Sequence, residues 1–454
     1  MSGMSDQPVL VVDVGTSSSA AVVVAGDENQ LVPDPVTGAA AWPSAVHWDG
    51  QSMLVGALAE RRKRSEPTSY AAEFKRGMAA DVPMVLGDRR FRPIEQVAAV
   101  LTALRAEAER RYGGPIRRTV VTIPASYAPD DPRRAQMIAA AEAAGLGPVE
   151  LLPEPVAAAF APVAGPAPVP GELVLVYDLG GGTFDTALVR IDERWHEVLG
   201  HAAIDDCGGR DIDSLLAEQI YASGQQWLAP LLAAAATATA SQSEPATLRL
   251  QMAVADFANR IKHQLSDTPA VEDFLLPDTP AYRMTRAELA QLAAPLLDRT
   301  IACCRQLLAD LAVPAASLGS VMLVGGGARM PAVAEAVLRA FDRPLRQVEN
   351  PELATVQGAA RWLPRSGPRT IRASTETSRM TPLSFVIPGG SARLLRWLIV
   401  PGQPYPAGTP LARVRLPGGA LWDLVAASPG TLDRLLVPPS AEVTSQQWLA
   451  LTQH

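Results

Sequence analysis

Residues 173–189 read LVLVYDLGGGTFDTALV and repeat the pattern of residues 9–24, which read VLVVDVGTSSSAAVVV. Each stretch has an apolar run, an Asp, a turn of small and hydroxyl residues, and a second apolar run. This pattern is typical of a β-hairpin. Asp13 and Asp178 hold equivalent positions, as do Gly15 and Gly180. The sequence therefore predicts two related lobes, each containing one such hairpin.

The two turns have the composition of phosphate-binding loops. Small residues leave backbone N–H groups exposed and convergent, which forms a nest for an anion. An Asp at the end of a buried strand can hold a hydrated Mg²⁺ ion. One Gly-rich hairpin alone is as easily an ordinary turn, but two hairpins with the Asp in register favour a polyphosphate site between facing loops. The chain has no GxxxxGK[ST] motif, and the GGG at 180–182 precedes a strand-like run rather than a helix, so a P-loop and a Rossmann fingerprint are excluded.

Composition narrows the class of protein. The chain has 454 residues, 48% hydrophobic and 19% charged, which indicates a globular protein of two or three domains. Its net charge of -7 argues against a nucleic-acid-binding protein. Cys207, Cys303 and Cys304 have neither disulfide nor metal-ligand spacing, and the adjacent pair is interpreted as helix core. With no long apolar run and no secretory pattern at the N-terminus, we expect a cytoplasmic protein without a membrane span.

Further motifs occur in an order that resembles the DnaK-type heat-shock chaperones, the heat-shock protein 70 family of the actin-like ATPase superfamily. The motifs are DVGTS (13–17), FKRGM (74–78), VTIPASY (121–127), LLPEPVAAAFA (151–161), DLGGGTFD (178–185), GGRDID (208–213), NRIKHQLS (259–266), LVGGGARMP (323–331) and NPELATVQGAA (350–360).

The resemblance implies an α/β fold. It consists of a two-lobed actin-like ATPase with duplicated ribonuclease-H-like lobes, followed by a small β-rich C-terminal domain. We expect lobe I at 1–170, lobe II at 171–365, a polar flexible linker at 366–380 and the β-rich domain at 381–454. Two long helices are expected within lobe II, at 227–262 and at 285–311, and Thr285 and Glu288 resemble a capping box at the start of the second.

The resemblance also implies ATP or ADP and Mg²⁺ as ligands. Lys75 corresponds to a lysine that contacts the γ-phosphate and positions the attacking water. The implied catalytic residues are Lys75, Glu154, Asp178, Thr183 and Asp13, of which Asp13 and Asp178 hold Mg²⁺ through water. Pro124 and Arg133 correspond to an interlobe switch. The implied nucleotide-binding residues are Gly15, Thr16, Ser17, Gly180, Gly181, Gly182, Asp185, Gly208, Gly209, Lys262, His263, Ser266, Gly325, Gly326, Arg329 and Glu352.

The adenine side departs from the family pattern. Asn259 replaces a glutamate, His263 replaces an arginine that stacks on the base, and Glu352 replaces an aspartate. We therefore expect reduced affinity or relaxed base choice, and we expect the pair Asn259→Glu and His263→Arg to tighten ATP binding. At the C-terminal end the residues are too few for the family's complete peptide-binding sandwich and helical lid, so a shortened β-segment without a lid is expected.

These features favour a chaperone-like protein that hydrolyses Mg-ATP slowly in the cleft between its lobes. The alternative is a nucleotide-gated interaction module with little or no ATPase or peptide-chaperone activity, acting on a protein client or co-chaperone. A small-molecule kinase of the same superfamily is a third candidate, against which GGRDID and LVGGGARMP argue.

Overall fold

A computed structural model describes residues 7–127, 131–192, 196–224, 226, 228–231, 240–363, 369–372, 381–445 and 447–453. The fold is α/β, with two lobes of related topology followed by a β-rich C-terminal region. Among the described residues, no helix combines the length and apolar character needed to cross a bilayer.

The first lobe alternates short strands with helices. Its strands are β1 (Val9–Val14), β2 (Ser18–Ala25), β3 (Glu28–Leu31), β4 (Trp42–Pro43), β5 (Ala45–Trp48), β6 (Met53–Val55), β7 (Tyr70–Ala72), β8 (Met84–Leu86), β9 (Arg89–Phe91), β10 (Arg118–Ile123) and β11 (Val149–Pro153). Its helices are α1 (Ala57–Arg62), α2 (Pro93–Tyr112), α3 (Pro132–Ala143) and α4 (Glu154–Ala158), with 3-10 turns at Pro67–Ser69 and Phe74–Met78.

The second lobe has fewer strands and longer helices. Its strands are β12 (Leu173–Leu179), β13 (Phe184–Ile191), β14 (His196–Ile204), β15 (Ala270–Asp273), β16 (Tyr282–Thr285), β17 (Ser320–Val324) and β18 (Leu345–Gln347). Its helices are α5 (Gly209–Ser223), α6 (Ala240–Asp267), α7 (Arg286–Asp310), α8 (Pro331–Phe341) and α9 (Ala354–Trp362), with 3-10 turns at Ala315–Ser317, Gly326–Arg329 and Pro351–Leu353.

The main sheets of the two lobes have the same topology. The first runs β11-β10-β1-β2-β3, and the second runs β18-β17-β12-β13-β14. In each, the first hairpin strand is central, pairs antiparallel with the second and pairs parallel with a later strand. Helices cover both faces, so β1 and β12 are buried on both sides, which explains their continuous apolar sequence. The two predicted hairpins are thus confirmed as equivalent centres of two sheets.

The C-terminal region is made of two small sheets around a separate apolar core. Its strands are β19 (Arg369–Arg372), β20 (Thr381–Leu383), β21 (Ser391–Trp397), β22 (Pro404–Tyr405), β23 (Pro410–Arg415), β24 (Leu421–Val425), β25 (Gly430–Leu435), β26 (Glu442–Thr444) and β27 (Ala450–Gln453). The turn between β23 and β24 contacts the first lobe, where the Leu151 N–H donates to the Gly418 carbonyl at 3.3 Å.

Three local expectations can be compared with the structure. The helix predicted at 285–311 is confirmed as α7, and its capping box forms because the Glu288 N–H donates to Thr285 Oγ1. Of the helix predicted at 227–262, residues 232–239 lie outside the described residues, and α6 continues to Asp267. The linker prediction is wrong at Arg369–Arg372, because this segment pairs in parallel with β24 as an edge strand. The other residues of the predicted linker, 366–368 and 373–380, lie outside the described residues.

Candidate functional site

A cleft of about 510 Å³ separates the two lobes and is lined by residues from both. The structure brings eighteen of the predicted site residues together there: Asp13, Gly15, Thr16, Ser17, Lys75, Glu154, Asp178, Gly180, Gly181, Thr183, Gly209, Lys262, His263, Ser266, Gly325, Gly326, Arg329 and Glu352. The other five, Gly182, Asp185, Gly208, Pro124 and Arg133, do not line the cleft.

The two hairpin turns close in the same way. The Gly15 N–H donates to the Ser18 carbonyl and the Gly180 N–H donates to the Thr183 carbonyl, both at 3.0 Å. The turns are in contact across the cleft, since a Cβ on Gly181 would lie 2.1 Å from Ser17 Oγ. These facing turns form the walls of one end of the cleft, hereafter the phosphate end.

Gly182 and Gly208, which the family resemblance implies as nucleotide-binding residues, each have a packing role in the structure. A Cβ on Gly182 would lie 2.5 Å from Thr16 Cγ2, and one on Gly208 would lie 2.7 Å from the Gly181 backbone. The Gly208–Gly209 segment is held against the second turn because the Gly209 N–H donates to the Gly180 carbonyl at 2.9 Å. Glycine is therefore required at 182 so that the second turn can approach the first, and at 208 so that the segment leading into α5 can pack on the second turn.

Acidic side chains converge at the phosphate end. Asp13 lies in β1 between the buried Val12 and Val14, and it accepts a hydrogen bond from Thr122 Oγ1 at 2.6 Å, a partner that the sequence analysis missed. Asp178 is the equivalent residue of β12. Lys75, from the turn Phe74–Met78, is 6% exposed and donates through Nζ to Glu154 Oε1 at 2.8 Å. Glu154 is placed there because α4 begins directly after β11.

Asp185 joins the two lobes behind the cleft. It is 1% exposed and its Oδ1 accepts from the Ala125 N–H at 2.8 Å. Ala125 follows Pro124, whose carbonyl accepts from the Tyr127 N–H at 3.1 Å. The proline thus lies in the turn that carries an interlobe hydrogen bond.

Arg133 also connects the lobes. Its guanidinium pairs with Asp131, the N-cap residue of α3, and with Asp205 of the second lobe at 3.0 Å. It also lies 4.3 Å from the centroid of the Tyr127 ring. Its contacts are outside the cleft, so a direct contact of Arg133 with a ligand there is excluded.

Burial raises the pKa values of the three aspartates around the phosphate end. Burial, reinforced by Glu154, raises the pKa of Asp13 to about 6 and that of Asp185 to about 7. Burial, reinforced by Asp185 and the other carboxylates, holds the pKa of Asp178 well above its ordinary value. For Lys75, burial acts to lower the pKa, but the carboxylates around it outweigh burial and its pKa is raised. Asp13, Asp178 and Asp185 therefore release their protons at a higher pH than exposed aspartates do.

A pH dependence of stability follows from these shifts. The carboxyl pKa values are higher in the folded than in the unfolded chain, so the folded state binds more protons between about pH 4 and pH 7. Their contribution to stability is complete below the unfolded pKa and is lost as the pH rises through 6 to 7. We expect the melting temperature of the nucleotide-free protein in EDTA to fall by roughly 5 °C from pH 5 to pH 8. Asp185→Asn, measured by calorimetry over the same range, should show a smaller fall, and an equal fall would contradict this origin.

The phosphate end fits a Mg²⁺ ion that takes most of its ligands from water and phosphate rather than from the protein. Within the described part of the chain, no group of three or more His, Cys, Asp or Glu side chains is arranged to hold a metal ion. Asp13 and Asp178 nevertheless both line the cleft between the facing turns. Because Mg²⁺ usually keeps several waters and binds through one or two carboxylates plus phosphate oxygens, this donor set suits the ion only together with a polyphosphate.

The α6 side of the cleft carries polar and basic side chains. Lys262 Nζ lies 2.8 Å from Asp213 Oδ1 and donates to the Gly209 carbonyl at 2.9 Å. Asn259 Nδ2 donates to Asp213 Oδ2 at 3.0 Å. The sequence analysis quoted Asp213 within GGRDID but assigned it no role. Since a carboxylate only accepts, Asp213 orients the Asn259 amide with its nitrogen toward the carboxylate.

Arg329 and His263 also line this part of the cleft. Arg329 forms a bidentate pair with Glu352, at 2.9 and 2.8 Å from Nη2 to the two carboxylate oxygens. Burial, with the neighbouring Lys262 and Arg329 charges, lowers the pKa of His263, so this ring is neutral at pH 7. A neutral imidazole and a paired guanidinium are both flat groups that can stack on a heterocyclic base.

The Asn259–Asp213 contact changes one expectation about this end. Asn259→Glu would remove a donor from Asp213 and place a second carboxylate beside it. We expect Asn259→Glu to weaken ADP binding about tenfold. The sequence alone predicts instead that Asn259→Glu together with His263→Arg tightens ATP binding. His263→Arg alone, which leaves Asp213 untouched, is the control and should not weaken binding. Calorimetric titration of both variants measures the difference, and tighter ADP binding by Asn259→Glu would contradict the role given to Asp213.

Comparison with known families agrees with this arrangement. The sequence model described as Hsp70 protein matches residues 9–362 of the chain. The match begins at the first residue of β1 and ends at the last residue of α9. It therefore includes both hairpins and every residue that lines the cleft.

Proposed function

Because the chain belongs to the Hsp70 family, we propose that it binds Mg-ATP in the interlobe cleft and slowly hydrolyses it to ADP and phosphate. The observation that carries this proposal is the buried Lys75–Glu154 pair, 2.8 Å apart, beside two facing glycine turns. Phosphoryl transfer to water needs positioning and charge stabilisation more than covalent chemistry. A cation, paired carboxylates and converging backbone N–H groups supply these requirements.

Each group has a distinct task in this proposal. The phosphates are held by N–H groups of the two turns other than those of Gly15 and Gly180, which close the turns. Lys75 Nζ stabilises the charge of the transferring phosphoryl group and orients the attacking water. One Glu154 oxygen accepts a hydrogen bond from Lys75. The other Glu154 oxygen can accept a proton from the attacking water. At the same time the water oxygen bonds to phosphorus and the bond between phosphorus and the ADP oxygen breaks. Mg²⁺, held through water by Asp13 and Asp178, neutralises phosphate charge when bound.

Calorimetric titration with ATP and ADP, each with Mg²⁺, tests binding directly. Single-turnover hydrolysis of bound ATP then tests the reaction. Saturable binding of both nucleotides with slow release of phosphate supports the proposal. A protein that binds neither nucleotide would refute it.

The second candidate is a nucleotide-gated interaction module with little turnover. It is supported by the bond between the Leu151 N–H and the Gly418 carbonyl, because β11 leads directly into Glu154. A Cβ on Gly418 would lie 3.3 Å from Leu151, so the C-terminal turn is in close contact with that strand. Closure around a nucleotide could in this way reach the C-terminal β-region and a protein client or co-chaperone.

Hydrogen exchange distinguishes the two candidates when combined with turnover. ATP-dependent change of protection at residues 410–425 together with negligible phosphate release favours the module. Phosphate release stimulated by an unfolded peptide favours the chaperone ATPase.

A further inference from the structure

An arginine from each lobe crosses the phosphate end in opposite directions. Arg210, at the start of α5 in the second lobe, donates from Nε to Ser17 Oγ at 2.9 Å and from Nη1 to Glu73 Oε1 at 3.1 Å. Ser17 and Glu73 both belong to the first lobe. Glu73 adopts a left-handed backbone conformation with φ 58°, which is uncommon for this residue type and marks a constrained position.

Arg76 makes the reciprocal crossing from the first lobe, but it is held by structural partners. Its Nη2 donates to the Gly182 carbonyl at 2.7 Å and to Asp211 Oδ2 at 2.6 Å. Asp211 also accepts from the Gly208 N–H at the start of α5. Arg76 does not line the cleft, whereas Arg210 does. Of the two crossing arginines, Arg210 alone can reach a ligand in the cleft.

Arg210 is also the less firmly held of the two. One partner is a neutral hydroxyl on the first turn, and the other is a carboxylate that is 35% exposed. A guanidinium has five N–H donors, and among the residues that the structure describes Nη2 of Arg210 donates no hydrogen bond. A polyphosphate lying along the Gly15–Ser17 turn would place anionic oxygens within reach of these donors.

We propose that Arg210 is a phosphate-binding residue that exchanges its hydrogen bond to Ser17 for a charge-assisted bond to the polyphosphate of a nucleotide. The assignment rests on the proposed nucleotide binding. Arginine suits this exchange because its planar fork matches the geometry of phosphate and stays charged at all relevant pH values. The direct contact between Arg210 of the second lobe and Ser17 of the first is then replaced by a contact of Arg210 with the bound polyphosphate.

The test compares ligands with and without phosphates in Arg210→Gln and Arg210→Lys. Arg210→Gln should weaken ATP and ADP binding about 10- to 100-fold and adenosine binding less than about threefold. Arg210→Lys should recover part of the loss, since it keeps the charge without the fork. Arg283→Gln, which removes an exposed arginine of the second lobe paired with Glu272, is the matched control and should change none of these affinities.

A purely structural interlobe role gives a different result. Glu73→Gln breaks the Arg210–Glu73 ion pair but keeps the guanidinium, so nucleotide binding should stay unchanged or become tighter. If Glu73→Gln weakens ADP as much as Arg210→Gln does, or if Arg210→Gln weakens adenosine as much as ADP, the phosphate assignment is overturned.

Inorganic tripolyphosphate separates this proposal from the proposed function. If the unchanged protein binds neither ATP nor ADP, the proposed function fails and tripolyphosphate alone decides the role of Arg210. Binding of tripolyphosphate that Arg210→Gln weakens at least about tenfold supports the assignment. Absence of such binding, or binding that the variant leaves intact, overturns it.

Discussion

Lys75→Ala is expected to lower the single-turnover rate of ATP hydrolysis by about 100- to 1,000-fold, the usual cost of removing one group that stabilises developing charge. ADP binding should stay within about tenfold of the unchanged protein, because the proposed function assigns most phosphate contacts to the backbone of the two turns. Rapid-quench measurement of phosphate release, with the protein in excess over ATP, gives the rate. A folded variant with an unchanged rate would rule out Lys75 as the catalytic cation.

The same substitution should also destabilise the protein. Lys75 and Glu154 have side chains that are only 5% and 11% exposed, so the alanine leaves a carboxylate buried without its cation. Breaking such a pair from one side costs roughly 3–5 kcal/mol. The double variant Lys75→Ala, Glu154→Gln removes the uncompensated charge and should recover much of the stability without recovering turnover. This comparison separates loss of chemistry from loss of fold.

Gly325→Ala is expected to reduce the free energy of unfolding by roughly 3 kcal/mol, combining left-handed backbone strain with overpacking. Gly325 has φ 80°, and a Cβ there would lie 2.4 Å from both Asp178 Oδ1 and the Leu179 carbonyl oxygen. These atoms belong to or directly precede the second hairpin turn and cannot move without displacing it. The variant should therefore lose nucleotide affinity as well as stability, which denaturant titration and calorimetry measure.

The adjacent Gly326 is the matched control. A Cβ at this position would have no heavy atom within 4 Å, so Gly326→Ala should change the unfolding free energy by less than about 1 kcal/mol. Gly326 lines the cleft, and its alanine variant should weaken ADP binding if the nucleotide backs onto this turn, as the sequence predicts. Equal stability losses in the two variants would contradict the role given to Gly325.

Much of this protein is determined locally by its sequence. Each hairpin has two apolar runs separated by an Asp and small residues, and this repeated pattern is sufficient to predict both hairpins and their equivalence. The spacing of Thr285 and Glu288 likewise predicts the start of α7, because a capping box involves residues only three apart. The ordered motifs indicate the family and the lining of one cleft, since each motif contributes its residues over a short stretch.

The tertiary structure alone decides which residues meet when they are far apart along the chain. Arg210 reaches Ser17 and Glu73, Asp213 orients Asn259, and the edge strand Arg369–Arg372 pairs with β24. These partners are far apart along the chain, and no periodicity connects them. Sequence patterns record the local constraints of strand, turn and cap, whereas contacts between lobes depend on how two separately formed sheets are placed against each other. The glycines at 182 and 208 illustrate this difference: the family resemblance implies nucleotide binding at both, and the structure adds that a Cβ would meet Thr16 of the first lobe at Gly182 and the Gly181 backbone at Gly208.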